Sequence, residues 1–376
     1  MKIAFVHNQC LPYRHFLFSA LARTFDIDFF LFNQNKEDVP EDCNVTILRG
    51  YKIPKCSDYW IVPKLRSELN KKKYDLIVGG DLGAYNTAVA YRAALKNGVP
   101  FAAWILEWDW VAHPRRRFRQ RFEDKMLDYA SKLIVPGNNH RNYLLSRGVA
   151  AGKLCYVPNC LEEFSRDYDQ SHPLAIKLTQ IKENKNRNIV CSLGRHIPIK
   201  GHDRAIRAQE MLEREMADRA PFLVIAGDGG LLGKNRQLAK SLKIKNILFL
   251  DRYIGRTEKT ILYSLMDLLV LPSKRTRAFE AWGLVCNEAL YFGKPIIVSD
   301  AVGCANEIVR HKLNGFIYPN ASNEELARRI KALTINRRVR EKFGEASKEI
   351  YNSYRPHVMV NSFIHLINQM AAVCSS

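Results

Sequence analysis

Leu268-Leu-Val-Leu-Pro-Ser273 followed by Phe279-Glu-Ala-Trp-Gly-Leu-Val-Cys-Asn-Glu288 is the stretch that decides how this chain is built. The first run reads as a buried strand, apolar until a proline ends it, and Glu288-Ala-Leu290 already has helical character. The segment therefore runs strand, loop, helix, and carries two carboxylates, Glu280 and Glu288, eight positions apart. In an open α/β sheet such a junction lies at the carboxyl end of a strand, where ligands bind. A helix amino end there offers unsatisfied N–H groups that suit a phosphate. Gly283 falls where the backbone has to come close to something else. Two acids at an otherwise apolar helix start are costly unless they meet partners. Taken alone, the same spacing also fits a capped surface helix with two solvated acids.

The βα alternation extends outward in both directions. Strand-like runs at Lys2–Val6, Ile27–Phe32, Asn44–Leu48, Asp75–Val78, Phe101–Leu106 and Lys132–Val135 are interleaved with helical patterns at Phe16–Thr24, Tyr85–Asn97 and Asn139–Ser146. A second series takes up Asn188–Leu193, helix Asp203–Met216, Phe222–Ala226, Ile247–Leu250, helix Lys259–Met266, Leu268–Leu271, helix Trp282–Phe292, Ile296–Val298 and Gly315–Ile317. Such alternation calls for parallel sheets with helices on both faces, and 376 residues suit two domains. The expected fold class is α/β: two doubly wound, Rossmann-like domains facing one another across a cleft. The linker is expected near 157–187, whose end at Lys182–Arg187 is charged and rich in Asn and Lys. This places the first domain at 1–165 and the second at 166–356. Glu341–Met370 is helical with a break at Arg355-Pro356, and the helix of about 357–376 is expected to return to the first domain.

Composition narrows the class. The chain is 47% hydrophobic, yet no run of about 18 apolar residues suggests a transmembrane helix. Met1-Lys-Ile-Ala-Phe-Val-His-Asn8 reads as a first strand rather than a signal peptide. Nine cysteines without Cys-x2-Cys spacing argue for reduced thiols in the cytoplasm, and Cys155 with Cys160 has nothing nearby to complete a zinc site. The net charge of +20, from 58 basic and 38 acidic residues, is shared between both halves, which favours anionic surfaces in general over a nucleic-acid groove. The local exception is Pro114-Arg-Arg-Arg-Phe-Arg-Gln-Arg-Phe122, where Phe118, Phe122, Met126 and Ala130 recur at four-residue spacing. One reading docks this helix on an anionic membrane surface through Arg115, Arg116, Arg117, Arg119 and Arg121, with Phe118 and Phe122 inserting. That would make the protein peripheral on the inner face of the cell membrane. The other reading is an ordinary helix with solvated arginines and its phenylalanines packed inward.

Three further segments bear on chemistry. Cys191-Ser-Leu-Gly-Arg-His-Ile-Pro-Ile-Lys-Gly-His202 delivers Arg195 and Lys200 from a strand end, where a planar fork and a point charge could bracket a diphosphate. Phe222-Leu-Val-Ile-Ala-Gly-Asp-Gly-Gly230 ends a strand in a turn, with Gly227 and Asp228, that permits close backbone approach. Ile247-Leu-Phe-Leu-Asp-Arg-Tyr-Ile254 brings up Arg252 and Tyr253, whose backbone could frame a planar base. Each alone is equally well a solvated loop or a tight turn.

Together and in this order these segments resemble the second domain of the retaining glycosyltransferases of family 4, which have the GT-B architecture. The family's Gly-Arg…Lys-Gly is matched by Gly194, Arg195, Lys200 and Gly201, and its Gly-x-Gly by Gly227, Asp228 and Gly229. Its E-x7-E is matched by Glu280 and Glu288, its Gly-x-Pro by Gly293-Lys-Pro295, and its later signature by Gly303, Glu307-Ile-Val309 and Asn314-Gly315. The resemblance implies that Glu288 holds ribose hydroxyls and that Arg195 with Lys200 holds the diphosphate. It gives the donor sugar to Glu280 and the backbone of Ala281, Trp282 and Gly283. No cofactor is implied beyond a UDP- or GDP-sugar as substrate, and no metal; Asp26-Ile-Asp28 has a metal-site spelling but lies in a strand. The first domain departs further, with Asn8-Gln-Cys-Leu-Pro-Tyr-Arg-His15 in place of a glycine-rich loop. Arg14 is then a contact to donor phosphate or acceptor, or a helix-start charge. His113 is the positional candidate for a sugar-side histidine, or a solvated loop residue. Trp104, Trp108 and Trp110 suggest a platform for a sugar or lipid, or core packing. The expected activity is transfer of a hexosyl group from a nucleotide sugar to a glycan or lipid-linked acceptor, retaining and metal-independent. The alternatives are a nucleotide-sugar epimerase of the same fold, or a basic membrane- or nucleic-acid-binding protein without catalysis.

Overall fold

The computed structural model describes residues 1–52, 60–109, 114–185, 187–276 and 278–375, with backbone alone at 114–119, 184–185 and 373–375. The chain divides into two compact units, Met1–Glu162 with Tyr354–Ser376, and Glu163–Ser353.

Unit 1 contains β1 (Lys2–Val6), α1 (His15–Thr24), β2 (Asp26–Phe32), β3 (Asn44–Leu48), β4 (Tyr51–Lys52), β5 (Trp60–Ile61), α2 (Leu65–Leu69), β6 (Leu76–Gly79), α3 (Tyr85–Asn97), β7 (Phe101–Trp104), α4 (Pro114–Tyr129), β8 (Lys132–Val135), α5 (Asn138–Ser146) and β9 (Leu154–Tyr156). Seven strands form one sheet in the order β3-β2-β1-β6-β7-β8-β9, every neighbour parallel. Unit 2 continues with α6 (Pro173–Lys185), β10 (Ile189–Leu193), α7 (His202–Met216), β11 (Phe222–Ala226), α8 (Leu232–Ser241), β12 (Ile247–Leu250), α9 (Arg256–Leu265), β13 (Leu268–Leu271), α10 (Leu284–Tyr291), β14 (Ile296–Ser299), β15 (Gly315–Tyr318), α11 (Asn323–Ile335) and α12 (Arg337–Tyr351). Its six strands run β12-β11-β10-β13-β14-β15, again all parallel. α13 (Pro356–Ser375) belongs to unit 1.

Strands covered on both faces read as unbroken apolar runs, and β10, β11, β13 and β14 are buried along their whole length. The strand order reverses between β1 and β6 in unit 1 and between β10 and β13 in unit 2. Loops leaving adjacent strands part in opposite directions at such a point and open a crevice. Asp28 sits inside β2 and accepts from Lys72 Nζ at 2.9 Å and Tyr74 Oη at 2.7 Å, so the Asp-Ile-Asp spelling is spent on an internal pair. Among the described residues no group of three or more His, Cys, Asp and Glu could hold a metal ion. No described helix is long and apolar enough to cross a membrane.

Several expectations are corrected. The stretch 157–187 is not a linker throughout, because α6 occupies most of its second half. Lys182 donates to Leu265 O at 2.9 Å and reaches Asp267 at 3.1 Å, so part of the charge that suggested solvent is bound. α8 and α11 lie where no helix was read; α11 is capped by Ser322, whose hydroxyl accepts from Glu325 N at 3.0 Å. The break in the last helical stretch is real, and α13 begins on Pro356, a position where a missing N–H costs nothing. Trp104 and Trp108 are core residues, 2% and 9% exposed, so neither offers an open platform; Trp110 lies outside the described residues. Cys155 and Cys160 are free thiols.

In α4 the side chains of Arg115, Arg116, Arg117, Phe118 and Arg119 lie outside the described residues, and Arg121 is exposed. Phe122 is turned inward, edge-on to Tyr91 at 5.5 Å and 74°, with the Arg92 guanidinium 5.0 Å from its ring centre. It is therefore not available for insertion into a bilayer. Phe122→Ala is expected to destabilise unit 1 by about 1–3 kcal/mol, less than a fully buried aromatic because the ring is only partly covered. Urea unfolding checks this; an unchanged midpoint would mean the ring contributes no packing.

Candidate active site

The site elements of unit 2 gather at its switch point. β10 ends at Leu193, and the chain turns through Gly194 into the loop carrying Arg195 and Lys200. β13 ends at Leu271, and its loop leads through Ser273 to Glu280. These two loops meet: Lys200 Nζ lies 2.7 Å from Glu280 Oε2, with side chains only 17% and 11% exposed. Ser273 Oγ donates to the same oxygen at 3.2 Å, and its own carbonyl accepts from Ser299 Oγ at 2.6 Å. Arg195, by contrast, is exposed.

Glu280 is not on the helix. It forms a parallel bridge with Val302, its carbonyl accepting from Gly303 N at 2.9 Å, and Trp282 O accepts from Cys304 N at 3.1 Å. The extended segment 280–282 thus runs beside 302–304 before α10 begins at Leu284, two residues later than its pattern suggested. Gly283 makes the turn with φ of 101°, and a Cβ there would stand 2.8 Å from Leu271 Cδ2. Trp282 is 2% exposed and its Nε1–H donates to Asn287 Oδ1 at 2.8 Å. Its indole braces the helix start from inside, so only its backbone can face a ligand; Ala281 is half-buried beside it.

Glu288 points from α10 onto α9. Lys259 Nζ donates to Oε1 and Tyr263 Oη to Oε2, both at 2.6 Å. Burial first, then the Glu288 carboxylate, holds the Tyr263 hydroxyl well above its usual range, so it stays a donor. Lys259 and Tyr263 were missed as partners, although their i,i+4 spacing on a helix was a usable signal.

The Arg195 loop is fastened from beneath. His202 is 2% exposed; its Nε2 bonds Gly194 O and its Nδ1 bonds Ser192 Oγ, each at 3.0 Å. A carbonyl only accepts, so Nε2 carries the proton and Nδ1 receives the serine's. Burial, then neighbouring His196, pushes the His202 pKa down to about 4, keeping the ring neutral. The His196 ring lies against it, centroids 4.5 Å apart and tilted by 39°, and bonds Asn235 Nδ2 at 2.8 Å. Gly227 (φ 139°) carries no Cβ because one would lie 2.2 Å from Gly194 O. Asp228 is exposed, and its carbonyl accepts from His196 N. No sequence pattern marked this histidine pair.

Arg252 is bound to Glu258, and Tyr253 is 80% exposed. Arg14 is neither a surface charge nor a helix-start charge open to solvent: it is 3% exposed in unit 1, with Nη2 donating to Asn159 Oδ1 at 3.1 Å and its guanidinium 4.1 Å from the Trp104 ring centre. His113 lies outside the described residues.

Glu280 and Lys200 are expected to depend on each other for stability, since removing one leaves the other's charge largely buried without its counter-ion. The double-mutant cycle Lys200→Ala, Glu280→Ala should give a coupling of about 1–2 kcal/mol, below that of a fully buried pair. Urea denaturation of the four proteins measures it, and additive effects would refute the pairing.

Two family descriptions match the chain: "Glycosyl transferases group 1" over residues 176–350 and "Glycosyl transferase 4-like domain" over residues 17–160. The chain is 24% identical over 314 residues to the uncharacterized glycosyltransferase YqgM of Bacillus subtilis, covering 80% of this chain and 79% of that one. It is 29% identical over 164 residues to the GDP-mannose-dependent alpha-(1-6)-phosphatidylinositol monomannoside mannosyltransferase of Mycobacterium tuberculosis, 43% of this chain and 42% of that one. The crystal structure of Anabaena HepE in complex with UDP and glucose superposes with a TM-score of 0.73 at 19% identity, over 98% of this chain and 100% of the other.

Proposed function

This chain belongs to the GT4-like glycosyltransferases of the GT-B fold, and on that premise we propose that it moves a hexosyl group from a nucleoside-diphosphate sugar to a hydroxyl of a glycan or lipid-linked saccharide. The proposal includes retention at the anomeric carbon and no metal ion. The observation that carries it is the Lys200–Glu280 pair at the switch point of unit 2. As the glycosidic bond breaks, the leaving diphosphate gains negative charge. Lys200 shifts from Glu280 toward it, and Arg195 adds a second, planar cation. Glu280, released from its partner, accepts from a sugar hydroxyl, with the backbone of Ala281, Trp282 and Gly283 beside it. Glu288 has further lone pairs for ribose hydroxyls while keeping Lys259 and Tyr263. Gly227 and Asp228 border the diphosphate, and Arg252 with Tyr253 borders the base. Support comes from Anabaena HepE, crystallised with UDP and glucose, and from the mycobacterial relative, which is named for GDP-mannose.

Titration calorimetry with UDP and GDP separates these roles. Glu288→Ala should weaken the better nucleotide about tenfold or more, the worth of a hydrogen bond to a charged group. Glu280→Ala should bind it nearly as well as wild type and lose transfer. Equal nucleotide affinity in wild type and Glu288→Ala would overturn the ribose assignment.

The acceptor side includes an anionic membrane surface, reached through Arg115, Arg116, Arg117, Arg119 and Arg121 at the start of α4. Two relatives are named for lipid-linked substrates, a phosphatidylinositol mannoside and a diphospho-undecaprenol. Because Phe122 packs inward, docking would rest mainly on charge and be screened by salt. Co-sedimentation with phosphatidylglycerol vesicles should therefore exceed that with phosphatidylcholine vesicles at low salt and converge with it at high salt. Equal binding to both at low salt would refute docking.

A further inference from the structure

Unit 1 has its own switch point, between β1 and β6, and a cavity of about 20 Å³ opens there. Its polar lining comes from His7 and Asn8 after β1, Asp81 after β6, Asn86 and Thr87 on α3, and Trp104 at the end of β7. Two of these side chains are almost fully buried yet unsatisfied: Asn86 Oδ1 and Trp104 Nε1 have no hydrogen-bond partner, with their residues 3% and 2% exposed. A buried polar atom left unpaired costs about 1–3 kcal/mol, so two on one small cavity point to a ligand that completes them.

The lining states what kind of group that is. His7 Nδ1 donates to Gln9 O at 3.0 Å, which leaves Nε2 as a lone pair. Asp81 Oδ1 accepts from Leu106 N at 2.9 Å and keeps lone pairs on its other oxygen. The cavity therefore offers acceptors at His7, Asp81 and Asn86 and a donor at Trp104. A phosphate or carboxylate only accepts and would meet the Asp81 carboxyl. Arg14, the cation nearby, has one nitrogen on Asn159, its face on Trp104 and a buried Nη1 without a partner, but it is not among the residues that line the cavity. A hydroxyl both donates and accepts, and the volume suits one hydroxyl or hydroxymethyl group, being little more than the ~10–15 Å³ a single water needs.

We propose that this cavity is a subsite of unit 1 that receives one hydroxyl or hydroxymethyl group of the saccharide acceptor, held between Trp104 Nε1–H and the acceptors of Asp81, Asn86 and His7. Arg14 is then a positioning residue that fixes the Trp104 ring, not a phosphate ligand. The assignment rests on the transferase reading for the word acceptor, but its test does not use turnover.

The full chain labelled with 15N at its five tryptophans gives an indole N–H signal for Trp104, assigned by loss in Trp104→Phe. Titration with methyl glycosides of glucose, galactose, mannose and N-acetylglucosamine, without nucleotide, should move that signal saturably for at least one sugar. Asp81→Asn keeps an acceptor for Leu106 N–H but sets an NH2 where a lone pair stood, so it should weaken that response about tenfold, with UDP or GDP affinity unchanged. A Trp104 signal indifferent to all four glycosides overturns the subsite, as does one moved by inorganic phosphate instead. A signal that answers only to a nucleotide sugar overturns the acceptor assignment. Nucleotide binding that fails while the glycoside response persists would remove the proposed donor site and leave this one standing. If Asp81→Asn does not fold, the wild-type titration decides alone.

Discussion

A sheet whose strands all run the same way is buried on both faces, and its interior has no room for a charge that lacks a partner. In both units the strands are accordingly filled with Val, Ile, Leu and Phe, and polar chemistry is pushed to the strand ends. Where the strand order reverses, loops from neighbouring strands diverge and leave a crevice that side chains can line. The Lys200–Glu280 pair of unit 2 and the Asp81–Trp104 cavity of unit 1 occupy equivalent places for this reason. Their positions follow from topology before any residue identity is considered.

Residue identity then sets what each crevice can hold. Unit 2 matches its buried carboxylates with cations in advance: Glu280 with Lys200, Glu288 with Lys259 and a tyrosine hydroxyl. Such groups are oriented at little further entropic cost when a ligand arrives, because their rotamers are already fixed. Beneath them His202 ties the Gly194 turn to the strand it leaves, and its neutrality avoids a buried positive charge next to Lys200. Unit 1 leaves polar atoms unmatched at its crevice instead. One site is poised by paired charge, the other by unmet hydrogen bonds.

The sequence made much of this legible. Apolar runs located most strands of the two parallel sheets to within a residue or two, because a buried parallel strand has little alternative composition; the three-residue β9, the two-residue β4 and β5 and the short α2 were not read. Gly194, Lys200 and Glu280 could be singled out because they fall in loops that follow strands, and Glu288 because it follows Glu280 by eight positions into a helical pattern. Other features depend on contacts far apart in the chain. α6 was partly read as linker because its charged end, Lys182 above all, finds Asp267 only after folding. The start of α10 was placed two residues early because nothing local says that Glu280 bridges Val302 or that Trp282 turns inward. Arg14 looked like a surface or ligand charge because arginines are rarely buried; Trp104, ninety residues later, is what accommodates it. The His196–His202 ring contact is tertiary in the same way.

The return of α13 to unit 1 carries a consequence for how the chain comes into being. Met359 and Phe363 are core residues of unit 1, the latter set edge-on to Trp104 at 5.1 Å. During synthesis these residues leave the ribosome after the whole of 163–353. Unit 2, interrupted by nothing, has all its residues first, while the unit that was started earlier waits with an unfinished core. The usual vectorial order, in which the N-terminal domain matures before the next is made, is inverted here, and the interval between the two is when Trp104 and its neighbours lack their cover.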